Sequence, residues 1–484
     1  MGGQNMGLLK ALQKKAVLFE RRKVIKTLTT SSPEDIVQYG EKLLLAAFRR
    51  AATRVPAYKN ILQKHHLDPE MIRDVASFRD QVPILTKEDV FPLYDIDDLC
   101  LDRNFSLIKS AMSSSGFSGI FSFGINTEAN FRNAVKAIDT ALDLIFDISR
   151  KKTFFINSLP MGVRIPTSLP IADTSVRFDM ALAIYKKFSK KFDQVIVLSD
   201  PHFLKKFLED GIEQGIDWHI ENIHLITGED WVPETFRSYL GHLLGTDWDR
   251  MDRGMIGGTM GVAELDLNLF HESKDLIRIQ RAALQDEKLR YALYGQGVTI
   301  SPTLLHYYPH RTFLELVDSN DGKPELVVSM LSDSLLIPLI RYNVKDVAQL
   351  IPYRQLQQIL EDSGYGALCP QLKLPLVAIG GRKGRMVENS AGQAVSPEEV
   401  KQGLYSDFTA AAATTGYFKL RVEGGGILVE IQLKKGVADS PELQDRFHRA
   451  IATFVSAECK VLLYEYQKFP YAMELDYERK FKNI

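Results

Sequence analysis

The segment Ser113-Ser114-Ser115-Gly116-Phe117-Ser118-Gly119 places a run of hydroxyls and glycines after the apolar pair Leu107-Ile108. Backbone N–H groups and serine hydroxyls of such a loop can close around phosphate oxygens, and glycine is needed where backbone must come close to a ligand. It is not a Walker loop, because no Gly-Lys-Ser/Thr ends it. Nor is it a nucleophile elbow, since Gly116-Phe117-Ser118-Gly119 lacks the second spacer of G-x-S-x-G. Two acids stand in comparable settings. Asp346 follows Pro338-Leu339-Ile340-Arg341-Tyr342, and a carboxylate just past a buried strand can accept both hydroxyls of a ribose. Glu264 follows the glycine-containing turn Met260-Gly261-Val262-Ala263 and precedes an apolar run. Taken singly, each has an ordinary role open to it: a flexible turn, a helix-capping acid, a surface carboxylate.

Elements able to position such groups are legible along the chain. Ser32-Pro33-Glu34-Asp35 reads as an N-cap, a first-turn proline and early acids, opening a helix that stops before Pro56. Short β-rich runs (Thr153–Ile156, Gln194–Leu198, Ile223–Thr227) alternate with helical stretches (Pro201–Gly215, Pro233–Leu244), the βαβ signature of a layered α/β domain. Further strands are expected at Glu325–Met330, Leu336–Tyr342 and Leu374–Ile379, with Gly380-Gly381 punctuating the chain. The remainder contains a hairpin (Phe418–Glu423, Ile427–Leu433), a helix from about Ser440 to Ser456 and a strand Val461–Tyr466. At 484 residues the chain exceeds the roughly 250–300 residues of a single core. The fold expected is therefore a large layered α/β N-terminal domain over 1–380, with 1–30 a basic amphipathic extension, and a small mobile α+β domain over 381–484.

Composition narrows the partners. Lys plus Arg total 60 against 61 Asp plus Glu, so no global field recruits nucleic acid or an anionic membrane. Cys100, Cys369 and Cys459 are far apart, without metal-ligand spacing, which fits a reducing compartment. No apolar run reaches the roughly 18 residues of a membrane span, and no signal-peptide core is present; a cytoplasmic location is expected. Residues 8–28 mix Lys10, Lys14, Lys15, Arg21, Arg22, Lys23 and Lys26 with leucines and valines. They read as a helix lying on the body with a solvated basic face, the rival being a membrane- or partner-binding helix.

Read together and in order, these segments resemble the phenylacetate–CoA ligase branch of the adenylate-forming superfamily. Arg54-Val55-Pro56-Ala57-Tyr58 and Val82-Pro83-Ile84-Leu85-Thr86-Lys87-Glu88-Asp89 are similar to that branch's opening. Ser114–Gly119 resembles its SSGTTG loop, with Phe117 in place of a threonine. Thr227-Gly228-Glu229 is similar to its GGE turn, and Met260-Gly261-Val262-Ala263-Glu264 to YGxTE. Glu325-Leu326-Val327-Val328, Pro338-Leu339-Ile340-Arg341-Tyr342 and Asp346 follow GELVVT and PLIRYRTGD, with Val344-Lys345 replacing Thr-Gly. Gly381-Arg382 stands where the family has GRxDD. The match runs from about residue 40 to 400 and fades beyond.

The resemblance implies activation of a carboxylic acid by ATP as an acyl-AMP, with Mg²⁺, then acyl transfer to CoA, a carrier-protein thiol or an amine. Under it, Ser114, Ser115, Gly116, Ser118 and Gly119 hold the pyrophosphate end of ATP, while Met260 and Gly261 line the adenine pocket. Asp346 binds ribose, Arg382 lies near ribose and phosphate, and Glu264 helps hold Mg²⁺. Lys480, with Lys482 as the other candidate, bridges carboxylate and α-phosphate. Lys383 and Gly384 form a hinge for the small domain. The acyl pocket draws on Met161, Arg164, Ile256 and Gly257, in a context unlike that of the phenylacetate enzymes, so a different acid is expected. A homodimer is admitted as an assembly. A dinucleotide-binding fold is rejected, because Gly380-Gly381-Arg382-Lys383-Gly384 misplaces the glycines of G-x-G-x-x-G. The remaining rival is a relative that kept the fold and serves as a binding or scaffold protein.

Overall fold

The computed structural model describes residues 17–114, 119–160, 162–296, 298, 300–318, 322–382, 386–471 and 481–484. Two hairpin strands, β1 (Ile108–Ser113) and β2 (Phe123–Thr127), pair apart from the main sheet. That sheet has eleven strands: β3 (Thr153–Asn157), β4 (Ile171–Asp173), β5 (Gln194–Ser199), β6 (Ile223–Thr227), β7 (Ile256–Val262), β8 (Asp266–His271), β9 (Thr303–Tyr307), β10 (Thr312–Val317), β11 (Glu325–Met330), β12 (Tyr342–Ile351) and β13 (Leu376–Arg382). Their order is β10-β11-β12-β13-β9-β8-β7-β6-β5-β3-β4. From β4 to β7 the strands are parallel; from β7 to β10 they are antiparallel. β7 belongs to both halves. Its Ile256–Gly258 pairs with β6, and its Thr259–Val262 with β8.

The parallel half is covered on both faces, as its unbroken apolar strands require. Side chains alternate strictly: Phe154, Ile156, Val195 and Val197 enter one core, Phe155, Ile196 and Leu198 the other. The first core is closed by helices Phe178–Phe188, Pro201–Glu213 and Glu234–Leu244. The second is closed by helix Glu128–Phe146, whose Ile138, Leu142 and Phe146 lie one turn apart on its inner face. Thr127 caps that helix by accepting the Asn130 amide. The antiparallel half packs against the N-terminal helices, through Leu44, Phe48, Tyr58 and Phe78 among others.

Beyond the main sheet, β14 (Val387–Glu388) pairs with β15 (Ala394–Val395). A three-stranded sheet follows, β16 (Thr414–Glu423), β17 (Gly426–Leu433) and β18 (Cys459–Tyr464), flanked by helices Pro397–Leu404, Phe408–Ala413 and Pro441–Ala452. Its apolar face is continuous with the first core of the parallel half. Tyr405 meets Phe236 edge-on with ring centroids 4.7 Å apart, and Tyr417 stacks on His202 at 4.2 Å. The Lys205 ammonium, 1% exposed, donates to Glu209 Oε1 and to Thr414 O, both at 2.7 Å.

The basic N-terminal segment is helical over 17–30. Arg21 is buried and donates to Asp139 Oδ2 at 2.8 Å, which ties this helix to helix Glu128–Phe146, while Arg22, Lys23 and Lys26 face outward. Lys10, Lys14 and Lys15 lie outside the described residues. Among the described residues no helix is long and apolar enough to cross a membrane.

Two expected elements differ. Leu336–Tyr342 is not a strand: β12 begins only at Tyr342, after buried irregular backbone. Pro338 has no N–H to give to a ladder, and Arg341 sits at φ 49°. Gly380-Gly381 does not break the chain; β13 runs through both glycines to Arg382, and it starts after Pro375. The two glycines together oppose Val347 where the ladder with β12 shifts register, a bulge for which Gly381 at φ 95° supplies the backbone conformation.

Candidate active site

Two of the candidate segments, the Ser114 hairpin and the Glu264 turn, meet at the end of β7, where the sheet changes from parallel to antiparallel. Glu264 lies on the turn between β7 and β8, 8% exposed, and its Oε1 accepts the Tyr342 hydroxyl at 2.8 Å. Burial first, and then the Glu264 charge, push the Tyr342 pKa upward, so the phenol stays a donor. The motif tyrosine thus has a defined task, holding the turn carboxylate in place.

β2 presses against the same turn. A Cβ on Gly124 would meet Ala263 O at 2.1 Å, so only glycine lets the hairpin approach this closely. At the mouth of that hairpin Ser114 Oγ accepts the Ser122 amide at 3.0 Å, and Ser114 N donates to Ser122 O at 2.9 Å. Gly119 has φ 84°. Ser115, Gly116, Phe117 and Ser118 lie outside the described residues.

Lys87 ties the hairpin to the body. Its ammonium donates to Ser114 Oγ and to Ile120 O, both at 3.0 Å. The lysine opens a short helix, Lys87–Val90, started by a reciprocal capping box between Thr86 and Asp89. Just before it, Leu85 exchanges backbone hydrogen bonds with Arg341 and Asn343. Hairpin, capped turn and β12 therefore form one frame. Sequence reasoning noted Thr86-Lys87-Glu88-Asp89 as part of a motif but gave Lys87 no role; a lysine's position alone does not reveal which carbonyls it reaches. Hydrogen bonds from a charged donor contribute about 1.5–3 kcal/mol. Lys87→Met is accordingly expected to speed hydrogen exchange of the Ser122 amide by at least about tenfold. An unchanged exchange rate would show that the hairpin holds itself.

Asp346 is 6% exposed and lies within β12, not past the end of a strand as expected. Arg382, the last residue of β13, is its register partner across the ladder. The pairing of β12 with both neighbours shifts register around this point. Lys345, standing where the resemblance has a glycine, takes φ 65°. An irregularity of that kind re-aims the strand next to a site, and here it does so one residue before the acid. Arg341 is structural: its guanidinium donates to Glu315 at 3.2 Å and to Val82 O.

Met260 and Gly261 lie on β7 between the glycine pair and Glu264, with Met260 packed into the antiparallel core. Gly257 lines a cavity beneath β7. Ile256 does not; it is buried on the opposite face, in the core shared with the C-terminal elements, because alternate residues of a strand point to opposite sides. Arg164 is exposed and is not among the residues lining the cavity, whose wall there is Ile165. Met161, Lys383, Gly384 and Lys480 lie outside the described residues. The chain after Lys480 runs along β16, where the Leu420 amide donates to Asn483 O at 2.7 Å and Phe481 packs against Tyr417.

Among the described residues no group of three or more His, Cys, Asp or Glu could enclose a metal ion. Glu264 nonetheless fits Mg²⁺, which takes one or two carboxylates and completes its shell with phosphate oxygens and water. Near the helix that meets the C-terminal elements, Asp200 has its pKa pushed up to about 6, by burial first and then by Glu229 and Asp230, against the pull of backbone hydrogen bonds.

No protein-family model matches the chain, and no curated protein matches it either. Solved structures do. A 2-hydroxyisobutyryl-CoA ligase in the postadenylation state, in complex with R3-HIB-AMP, is similar at TM-score 0.68 and 13% identity, over 95% of this chain and 91% of that one. An open conformation of the same ligase, in complex with 2-HIB-AMP and CoA, is similar at TM-score 0.55 and 12% identity, over 92% and 91%. At such identities the likeness is one of fold, and it spans both the large sheet and the C-terminal elements. The chain has the fold of the adenylate-forming ligases.

Proposed function

We propose that this chain activates a small carboxylic acid with ATP and passes the acyl group to an acceptor. The observation that carries the reading is that the Ser114 hairpin, through Gly124, and Tyr342 both meet the Glu264 turn, while Asp346 follows Tyr342 along β12 and pairs with Arg382 across the ladder. In the first half-reaction a carboxylate oxygen attacks the α-phosphorus, and pyrophosphate leaves with the electrons of the broken P–O bond. In the second, a thiol or amine attacks the acyl carbon, AMP departs and the acceptor's proton goes to solvent. The catalytic need is to hold two anions together, so positioning and electrostatics dominate.

The hairpin's N–H groups and hydroxyls, from Ser114 to Gly119, hold the phosphates. Asp346 accepts the ribose hydroxyls, with Arg382 beside them, and Met260 and Gly261 border the base. Glu264 would hold Mg²⁺, which when bound would offset phosphate charge. Lys480 bridges carboxylate and α-phosphate. CoA is the acceptor we favour, since the same fold holds an acyl adenylate together with CoA in the 2-hydroxyisobutyryl-CoA ligase; a carrier-protein thiol or an amine is the other class. The elements after the hinge at Lys383 and Gly384 act as a lid, and any such turn has to open the Tyr405–Phe236 and His202–Tyr417 contacts.

ATP–pyrophosphate exchange with a panel of acids tests the reading, with Asp346→Asn as the informative variant. Loss of ribose hydrogen bonds to a buried acid should weaken ATP binding by about 1.5–3 kcal/mol, roughly 10- to 100-fold, with the unfolding midpoint nearly unchanged. Exchange absent with every acid, despite normal ATP binding, would favour a binding protein that kept the fold. Unaltered ATP affinity in Asp346→Asn would remove that residue from the site.

A further inference from the structure

Beneath β7, between helix Glu128–Phe146 and the second core of the parallel half, lies a narrow cavity of about 60 Å³. Its walls are almost wholly hydrocarbon: Ile138 and Leu142 from the helix, Phe155, Leu198 and Ile226 from three adjacent parallel strands, and Met255. Gly257 and Gly258 leave bare backbone along one side. A Cβ at Gly258 would stand 2.9 Å from Glu272 Oε2, so a side chain there would displace the carboxylate.

The charged groups at the cavity are already committed, and of the polar ones only the Asn268 amide nitrogen has no hydrogen bond among the described residues. Glu272 Oε1 accepts Arg237 Nη2 at 2.7 Å and Gln280 Nε2 at 2.6 Å; its Oε2 accepts Arg237 Nη1 at 2.9 Å and the Gly258 amide. Arg237 also pairs with Glu234, and the Arg281 guanidinium 3.9 Å from Glu234 supplies the second positive charge, so the two acids are matched by two arginines. His271 has both ring nitrogens engaged, Nε2 with the Tyr308 hydroxyl at 2.8 Å and Nδ1 with Glu272 O at 3.2 Å. Thr259 Oγ1 lies 3.1 Å from both Asn268 Oδ1 and Phe270 O, and its single proton is given to one or shared between them. A second carboxylate or an ammonium on a ligand would find its counter-charge already taken, and burying an unmatched charge is costly. Size selects further. A cavity of about 150 Å³ lined by Leu, Ile and Phe accommodates benzene, and this one has less than half that volume.

We propose that the cavity is the acyl site and that the acid it admits carries a short, uncharged aliphatic chain, smaller than a phenyl ring. This rests on the adenylating reading above and goes beyond it in naming the class of acid. Phenylacetate, dicarboxylates and amino acids are disfavoured, each for one stated reason: the ring by volume, the others by charge.

The test is pyrophosphate exchange by the full-length protein with butyrate, isobutyrate, hexanoate, phenylacetate, succinate and alanine, alongside saturation-transfer NMR of butyrate binding. Butyrate or isobutyrate should give the highest kcat/KM, with phenylacetate at least about tenfold lower, since a single misfitting methylene in an apolar pocket is worth roughly 10- to 200-fold. Succinate and alanine should be lower still. Leu142→Ala, checked for native circular dichroism, should move the phenylacetate-to-butyrate ratio upward by at least about tenfold. Ala141→Phe, which fills the cavity from the same helix face, should abolish the butyrate NMR signal. Exchange that is fastest with phenylacetate, succinate or alanine would overturn the acid class and leave the adenylating reading standing. Butyrate binding that Ala141→Phe removes, without exchange by any acid, would overturn the adenylating reading and keep the cavity as an aliphatic acid site. No exchange and no butyrate binding would sink both.

Discussion

Acidification from pH 7 to 5 is expected to remove several kcal/mol of stability from this protein, through histidines that the fold buries in their neutral form. Burial pushes His202, His271 and His310 down to about 4 and His224 to about 3, and holds His306 well below its ordinary value. A histidine whose folded pKa is depressed resists protonation, while the unfolded chain takes up its proton near pH 6.5. Stability is therefore fully present above that pH and falls as the pH drops toward the folded pKa. For a shift from 6.5 to about 4 the loss at pH 5 is about 2 kcal/mol per residue. Asp200, raised to about 6, works in the opposite sense and returns about 1 kcal/mol over the same interval. Glu234 and Glu315, also raised by burial, act with Asp200, and the five histidines outnumber the three acids, so the net change is a loss. Urea midpoints measured between pH 7.5 and 5 should fall steeply, and a flat profile would refute the idea. His224→Gln retains an acceptor toward the Met255 amide, which His224 Nδ1 now meets at 3.3 Å. That variant should lessen the slope by about one proton.

The second large effect concerns Arg237, 3% exposed and set between two buried acids. Its Nε donates to Glu234 Oε1 at 2.9 Å, while its two amino groups take both oxygens of Glu272 and the Ile256 carbonyl. Burial opposes the guanidinium's charge, but the two carboxylates outweigh it and the net direction of its pKa is upward. Arg237→Met would leave Glu234 and Glu272 buried without their shared counter-charge. Breaking such a pair from one side costs about 3–5 kcal/mol. Lysine should restore little, because a point charge cannot span the fork that reaches two acids and a carbonyl. Glu272 also holds the Gly258 amide, so the damage should reach β7 and the cavity beside it. Equilibrium urea unfolding of Arg237→Met and Arg237→Lys measures this; a loss under about 1 kcal/mol would mean that the two acids protonate and repack at little cost.

Several features were open to reading because their signals are local. The βαβ alternation from Thr153 to Leu244 follows from periodicity, and the N-terminal helix from its cap at Ser32, whose side chain bonds the amide three residues on. The hairpin around Gly424-Gly425 is marked by its turn residues. The Ser/Gly loop, the Glu264 turn and Asp346 could be picked out as an ordered set, since each is a short run of distinctive residues.

Tertiary structure decided the rest. Lys87 reaches Ser114 and Ile120 across 27 and 33 residues of chain, and Tyr342 reaches Glu264 across 78. No periodicity carries such pairings. Leu336–Ile340 has the composition of a strand, yet Pro338 and the positive φ of Arg341 deny it a ladder, so β12 starts at Tyr342 and takes Asp346 into its interior. Gly257 and Ile256 are neighbours in sequence, but the pleat of β7 sends one to the cavity and the other to the opposite core. Whether Glu272 offers a charge to a ligand or spends it on Arg237 depends on a helix 35 residues earlier in the chain. The sequence determined which elements form and which chemical groups they bear; long-range packing alone determined which of those groups face one another and which are left for a substrate.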